Sequence, residues 1–132
     1  GNAVEVRKEK DVVILKPEED DLADPQAISR FLEQLLIEDG VKKIVVDLGA
    51  VVNIYSLQIG TLVTMHVLCY ENVAVMKLAN ANEKLRSLLR MVGLEALMEL
   101  HHGTQVAMES FGPPPAVEAA QRGRPSDPRL SR

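Results

Sequence analysis

Cysteine and aromatic residues are nearly missing from this 132-residue chain, which has one Cys, two Phe, two Tyr and no Trp. Cys69 has no second cysteine with which to form an intramolecular disulfide, and no pair of residues shows metal-ligand spacing. Both absences fit a reducing, cytoplasmic setting and a fold that stands without covalent or metal staples. So few rings leave little with which to stack nucleic-acid bases. The net charge of −4 likewise argues against phosphate-backbone binding, which needs a clustered basic face. No apolar run approaches the roughly 20 residues of a membrane span. Also missing are a Ser-His-Asp order, a glycine-rich phosphate cradle and a pair of catalytic carboxylates, so neither an enzyme nor a cofactor is expected. The chain opens Gly1-Asn2-Ala3 without methionine, which reads as a cloning remnant.

What is present is enough for one core. Hydrophobic residues make up 46% of the chain and charged ones 26%, the balance of a single globular domain. Charge is unevenly spread. From Gly112 onward Arg122, Arg124, Arg129 and Arg132 outnumber Glu118 and Asp127 by two, which leaves −6 for the preceding part. The run Gly112-Pro113-Pro114-Pro115 stops any helix, and Pro125 and Pro128 lie among few apolar residues. The expected division is therefore a domain over 1–111 and a flexible Pro/Arg-rich tail over 112–132.

Within the domain, strands and helices alternate. Val4-Glu5-Val6 and Val12-Val13-Ile14-Leu15 flank a charged turn and suggest an antiparallel strand pair. Asp24-Pro25 opens a helix whose Ile28, Phe31, Leu32, Leu35 and Leu36 recur at helical spacing until Gly40. Ile44–Leu48 reads as a buried strand, Ser56 to Tyr70 as a second helix and Val73 to Leu78 as the next strand, an order that implies a right-handed crossover. Asn82 caps a third helix striped by Leu85, Leu88, Leu89 and Val92 and ended by Gly93. A short strand near Leu97–Leu100 and a last helix from Thr104 to about Ser110 complete an α/β fold, with a mixed four- to five-stranded sheet and about four helices.

Sites in open α/β sheets lie beyond the carboxyl ends of strands, which points to Gly49–Ile59. Ser56 stands at the expected start of the second helix. It reads either as a structural N-cap or as a phosphate acceptor, because free N–H groups and the positive end of the helix dipole favour an added negative charge there. Along that helix Ile59, Leu62, Val63, His66, Val67 and Tyr70 are expected to face the sheet. Leu57, Thr61, Thr64 and Leu68 then form an uncharged outer stripe, the mark of a partner contact or of burial in a homodimer. The expected contact surface is Asn53, Tyr55, Ser56, Leu57, Gln58, Gly60, Thr61, Thr64 and Leu68, with Asp47 accepting hydrogen bonds from loop amides and Asn53 shaping the turn. The acidic run Glu18, Glu19, Asp20, Asp21 and Asp24 lacks the ligand alternation and central glycine of a calcium loop and reads as a solvated loop. His101 and His102 are adjacent, so on a strand they point to opposite faces and cannot share a metal.

Two separated stretches resemble the STAS domain, found in sulfate transporters and anti-sigma factor antagonists. The first is Lys43-Ile44-Val45-Val46-Asp47-Leu48 with Val51, Val52, Ile54, Ser56, Ile59, Gly60 and Leu62. The second is Glu83-Lys84-Leu85-Arg86-Ser87-Leu88-Leu89-Arg90-Met91-Val92-Gly93-Leu94. In the antagonist branch the helix begins Asp-Ser-Ser-Gly or Asp-Ser-Thr-Gly, and a partner that is both serine kinase and anti-sigma factor phosphorylates the first hydroxyl residue. Ser56 holds that position here, with Tyr55 in place of Asp, Leu57 in place of the second hydroxyl residue and Gln58 in place of Gly. The resemblance implies a bacterial partner-switching protein that binds the anti-sigma factor until Ser56 is phosphorylated. It also allows a scaffold, or an accessory subunit bound to another STAS or transport-system protein, in which the altered motif no longer accepts phosphate.

Overall fold

The computed structural model describes residues 4–113. The expected tail over 112–132 lies outside the described residues apart from Gly112 and Pro113. Five strands form one mixed sheet in the order β1 (Glu5–Glu9), β2 (Val12–Lys16), β3 (Lys43–Asp47), β4 (Val75–Ala79) and β5 (Leu100–His101). β1 runs antiparallel to β2, with Glu9 opposite Val12 across a two-residue turn, and the remaining neighbours are parallel.

Helices α1 (Glu19–Leu22), α2 (Pro25–Glu33), α3 (Ser56–Glu71) and α4 (Glu83–Met91) build the main core on one face of the sheet. α5 (Thr104–Glu109) belongs to a smaller core with Val12, Ile14, Val45 and Ala79. α2 starts as its sequence dictates, with Asp24 accepting the Ala27 N–H at 3.2 Å and Pro25 in the first turn. It then loosens into a π-helical turn, Gln34–Glu38, before Gly40 closes it at φ +65°. α4 is capped by Asn82, which accepts the Leu85 N–H at 2.7 Å, and Gly93 ends it at φ +84°.

Three expectations need correction. The acidic run is not wholly a loop, because Glu19–Leu22 makes a helical turn whose Leu22 is buried. The last strand starts at Leu100 rather than near Leu97, since Leu94–Ala96 form a 3-10 turn that buries Leu94. The orientation of α3 also differs. Its inward residues are Gln58, Thr61, Leu62, Met65 and Cys69, whereas Val67 is 43% and Tyr70 76% exposed. Burial pushes the Cys69 thiol up to about 12.

Candidate functional site

The loop from Gly49 to Tyr55 carries the chain from the end of β3 to α3, and side chains from three other segments hold it. At its root, Asp47 is 8% exposed and its Oδ1 accepts the Gly49 N–H and the Asn80 Nδ2–H, both at 2.9 Å. At its middle, Oε2 of Glu19 accepts the N–H groups of Val52 at 2.8 Å and Asn53 at 3.0 Å. The Asn53 and Val52 amides therefore hold the Glu19 carboxyl below its ordinary value, slightly opposed by desolvation. On the α4 side, Asn82 Nδ2 donates to the Val52 carbonyl at 3.1 Å and Lys84 Nζ to Asn53 Oδ1 at 2.9 Å.

The start of α3 is fastened by Gln58 rather than by Ser56. Tyr55 is the N-cap residue, and its N–H donates to Gln58 Oε1 at 2.7 Å while Gln58 Nε2 donates to the Glu19 carbonyl at 3.0 Å. This is the return half of a capping box, formed by a buried amide at the third helical position. Ser56 is thus the first helical residue and not the cap. Its side chain is exposed, and its hydroxyl makes no hydrogen bond among the described residues.

Of the expected contact residues, Tyr55 and Leu57 are 65% and 55% exposed, and Ser56, Gly60 and Thr64 also face outward. Asn53 is half-buried at the rim. Three do not belong on an open surface. Gln58 is 7% exposed and committed to the two bonds above. Thr61 is 1% exposed and donates its hydroxyl to the Leu57 carbonyl at 3.0 Å. Leu68 is half-buried against the main core. The outer stripe is therefore Leu57, Gly60, Thr64 and Val67, one step around the helix from the expected one, and it remains free of charge. Beside it an open groove of about 470 Å³ runs between the loop and α4, lined by Tyr55, Ser56, Ile59, Lys84, Leu88 and Val92 among others.

Nothing in the sequence flags Glu19, which sits in an acidic run 33 residues before Val52. Glu18, Asp20 and Asp21, by contrast, gather one carboxylate oxygen each within 4.8 Å of the others. His101 Nε2 donates to Glu99 Oε1 at 2.8 Å, and this contact, followed by the Lys77 ammonium, lowers the Glu99 pKa. His102 is exposed.

A sequence profile of the STAS domain matches residues 3–107. The chain belongs to the STAS domain family. No curated protein sequence matches it. Solved STAS-like structures share its fold at low identity. An anti-sigma-factor antagonist (STAS) domain protein from Planctomyces limnophilus is 18% identical, with a TM-score of 0.68 over 83% of this chain and 98% of that one. The unphosphorylated anti-sigma factor antagonist SpoIIAA is 14% identical, with a TM-score of 0.67 over 83% and 96%. The Bacillus SpoIIAA is also solved phosphorylated, at 13% identity and a TM-score of 0.56 over 92% and 100%. A sulfate transporter family protein from Wolinella succinogenes is 19% identical, with a TM-score of 0.64 over 79% and 87%. No described helix of this STAS domain is long and apolar enough to cross a membrane.

Proposed function

We propose that this STAS domain is a non-catalytic protein-binding module of the anti-sigma factor antagonist kind, whose contact with its partner is broken by phosphorylation of Ser56. The observation that carries the reading is the free, outward hydroxyl of Ser56 at the head of a 16-residue helix, surrounded by exposed Tyr55, Leu57, Gly60 and Thr64 with no charged residue from Ser56 to Tyr70. An uncharged surface of this kind suits a desolvated contact. A phosphate there would bring nearly two negative charges into that contact, and the cost of desolvating them drives the partner away. The partner is an anti-sigma factor with serine-kinase activity, and release of its sigma factor is the consequence of binding in a cytoplasmic transcription circuit. SpoIIAA, solved with and without phosphate, supplies the analogy.

A second reading rests on Gln58. Its buried amide fills the place where the antagonist motif has glycine, which suits a fixed scaffold or an accessory subunit of a transport system better than a kinase target. The two readings separate in one experiment. The domain is purified from its source cells with and without ATP, co-purifying proteins are identified, and the mass of the peptide containing Ser56 is measured. Phosphate on Ser56, with an ATPase partner that binds wild type and Ser56→Ala but not Ser56→Asp, supports the first. An unmodified Ser56 in a transporter complex or a large homomeric assembly rejects it in favour of the second.

A further inference from the structure

β1 is a sheet edge. Glu5–Glu9 pairs with β2 on one side only, and all five of its residues are exposed, Val6 at 41%. A two-residue turn is closed by a hydrogen-bonded pair, here Glu9 and Val12, so Glu5, Arg7 and Glu9 direct their N–H and C=O groups toward β2. Val4, Val6 and Lys8 direct theirs outward, toward nothing among the described residues.

Charges on an edge strand usually prevent pairing with another copy. The pattern of β1 does something more selective. If a second copy pairs antiparallel about Arg7, Arg7 meets Arg7 and Glu5 meets Glu9. If it pairs about Lys8, Arg7 meets Glu9 twice, but Lys8 meets Lys8 and Glu5 meets Asp11 twice. If it pairs about Val6, Glu5 meets Arg7 twice, Val6 meets Val6, and the outward amides of Val4, Val6 and Lys8 face one another. A registry shifted by one residue sets outward amides against inward ones. Like charges directly opposite are destabilising and opposite ones stabilising, so a single register survives.

We infer that the edge strand β1 is a docking surface for a second copy of this chain, joined antiparallel about Val6 with Glu5 of each copy against Arg7 of the other. The charged groups at the join are Glu5, Arg7, Lys8 and Glu9, with Lys8 opposite Val4 of the other copy and Lys16 opposite Glu5 on β2; Arg7, already beside its own Glu9, gains a second carboxylate. The contact spans about five residues per copy and is smaller than a standard stable interface, so association is weak and concentration-dependent. The geometry has a functional consequence. A two-fold axis perpendicular to the sheet continues it to ten strands, keeps both helical layers on one side and sends the two Ser56 loops to opposite ends. Two sites held in this way can engage two partners at once.

The test is sedimentation velocity on the full chain over a concentration series reaching about 1 mM, the weak end of specific association, for wild type, E5R, R7E and E5R/R7E. Each single reversal sets like charges together at two symmetric positions and should weaken association at least about tenfold, whereas the double reversal restores opposite pairs and should recover it. A wild-type chain that stays monomeric throughout overturns the inference. So does self-association indifferent to the reversals, which places the contact elsewhere, or a double variant as weak as the singles. None of these outcomes depends on whether Ser56 is ever phosphorylated.

Discussion

One carboxylate oxygen, Oε2 of Glu19, receives two main-chain N–H groups of the loop that presents Ser56, and nothing else among the described side chains satisfies those two donors. The contact needs the ionised form, because a protonated carboxyl is a far poorer acceptor. Its folded pKa is lowered below 4.5 by the Asn53 and Val52 amides, so its stabilisation is complete above that ordinary value and disappears as pH falls through the lowered one. In an NMR titration the Val52 and Asn53 amide shifts should therefore move together with a midpoint below 4.5, and Glu19→Gln should abolish that movement. A shared midpoint at or above 4.5 would refute the assignment. Gln58 shows what was legible at this scale. A Gln three residues after an N-cap is a known start signal, but it speaks only once the cap is placed at Tyr55 instead of Ser56. Glu19 carried no signal, since its role depends on a fold that brings residues 33 positions apart together.

Among the elements, α5, like the still shorter α1, cannot stand alone. Six residues are too few for an isolated helix, so its place on the sheet depends on tertiary anchors. Lys77 supplies one from beneath. It is 6% exposed, its Nζ donates to Ser110 Oγ at 2.7 Å, pairs with Glu99 at 3.1 Å and lies 4.2 Å from the Phe111 ring centroid. Replacing Lys77 by Ala should cost about 2 kcal/mol, the scale of a lost charged hydrogen bond with some lost packing. Hydrogen exchange should quicken over Thr104–Glu109 and stay unchanged in α3; equal quickening in both would show that Lys77 serves the whole fold. The elements also differ in how plainly their faces could be read. α2 and α4 carry charges on the outer side, so the buried faces of Ile28 and Leu32, and of Leu85 and Leu89, are legible. α3 has apolar or weakly polar residues all round from Ser56 to Tyr70, and periodicity cannot then choose between Thr61 and Val67 as the inward residue. Packing decides, because α3 must meet α2 as well as the sheet and buries a wider arc than one stripe.

At the scale of the molecule, the main core and the proposed contact surface share one helix, α3. The main core holds Leu32, Ile44, Leu62, Met65, Leu78 and Leu89 at 0–1% exposure, all beneath α2, α3 and α4. Leu62 sits about one and two-thirds turns from Ser56 on the same helix, yet it faces the sheet while Ser56 faces out. The same helix therefore belongs to both systems, and its two faces should respond independently. Leu62→Ala leaves a cavity in a fully buried position and should lower the unfolding free energy by about 3 kcal/mol. Ser56→Asp breaks no hydrogen bond and places a negative charge at a helix N-terminus, where it should leave stability within about 0.5 kcal/mol or raise it slightly. Denaturation with urea reads both, and the double variant should show the simple sum, since the two side chains share no partner. A Ser56→Asp variant destabilised by as much as Leu62→Ala would mean that charge at Ser56 acts by loosening the fold. Near-zero cost would mean that it acts on the surface alone, leaving a rigid platform on which only the partner's contact changes.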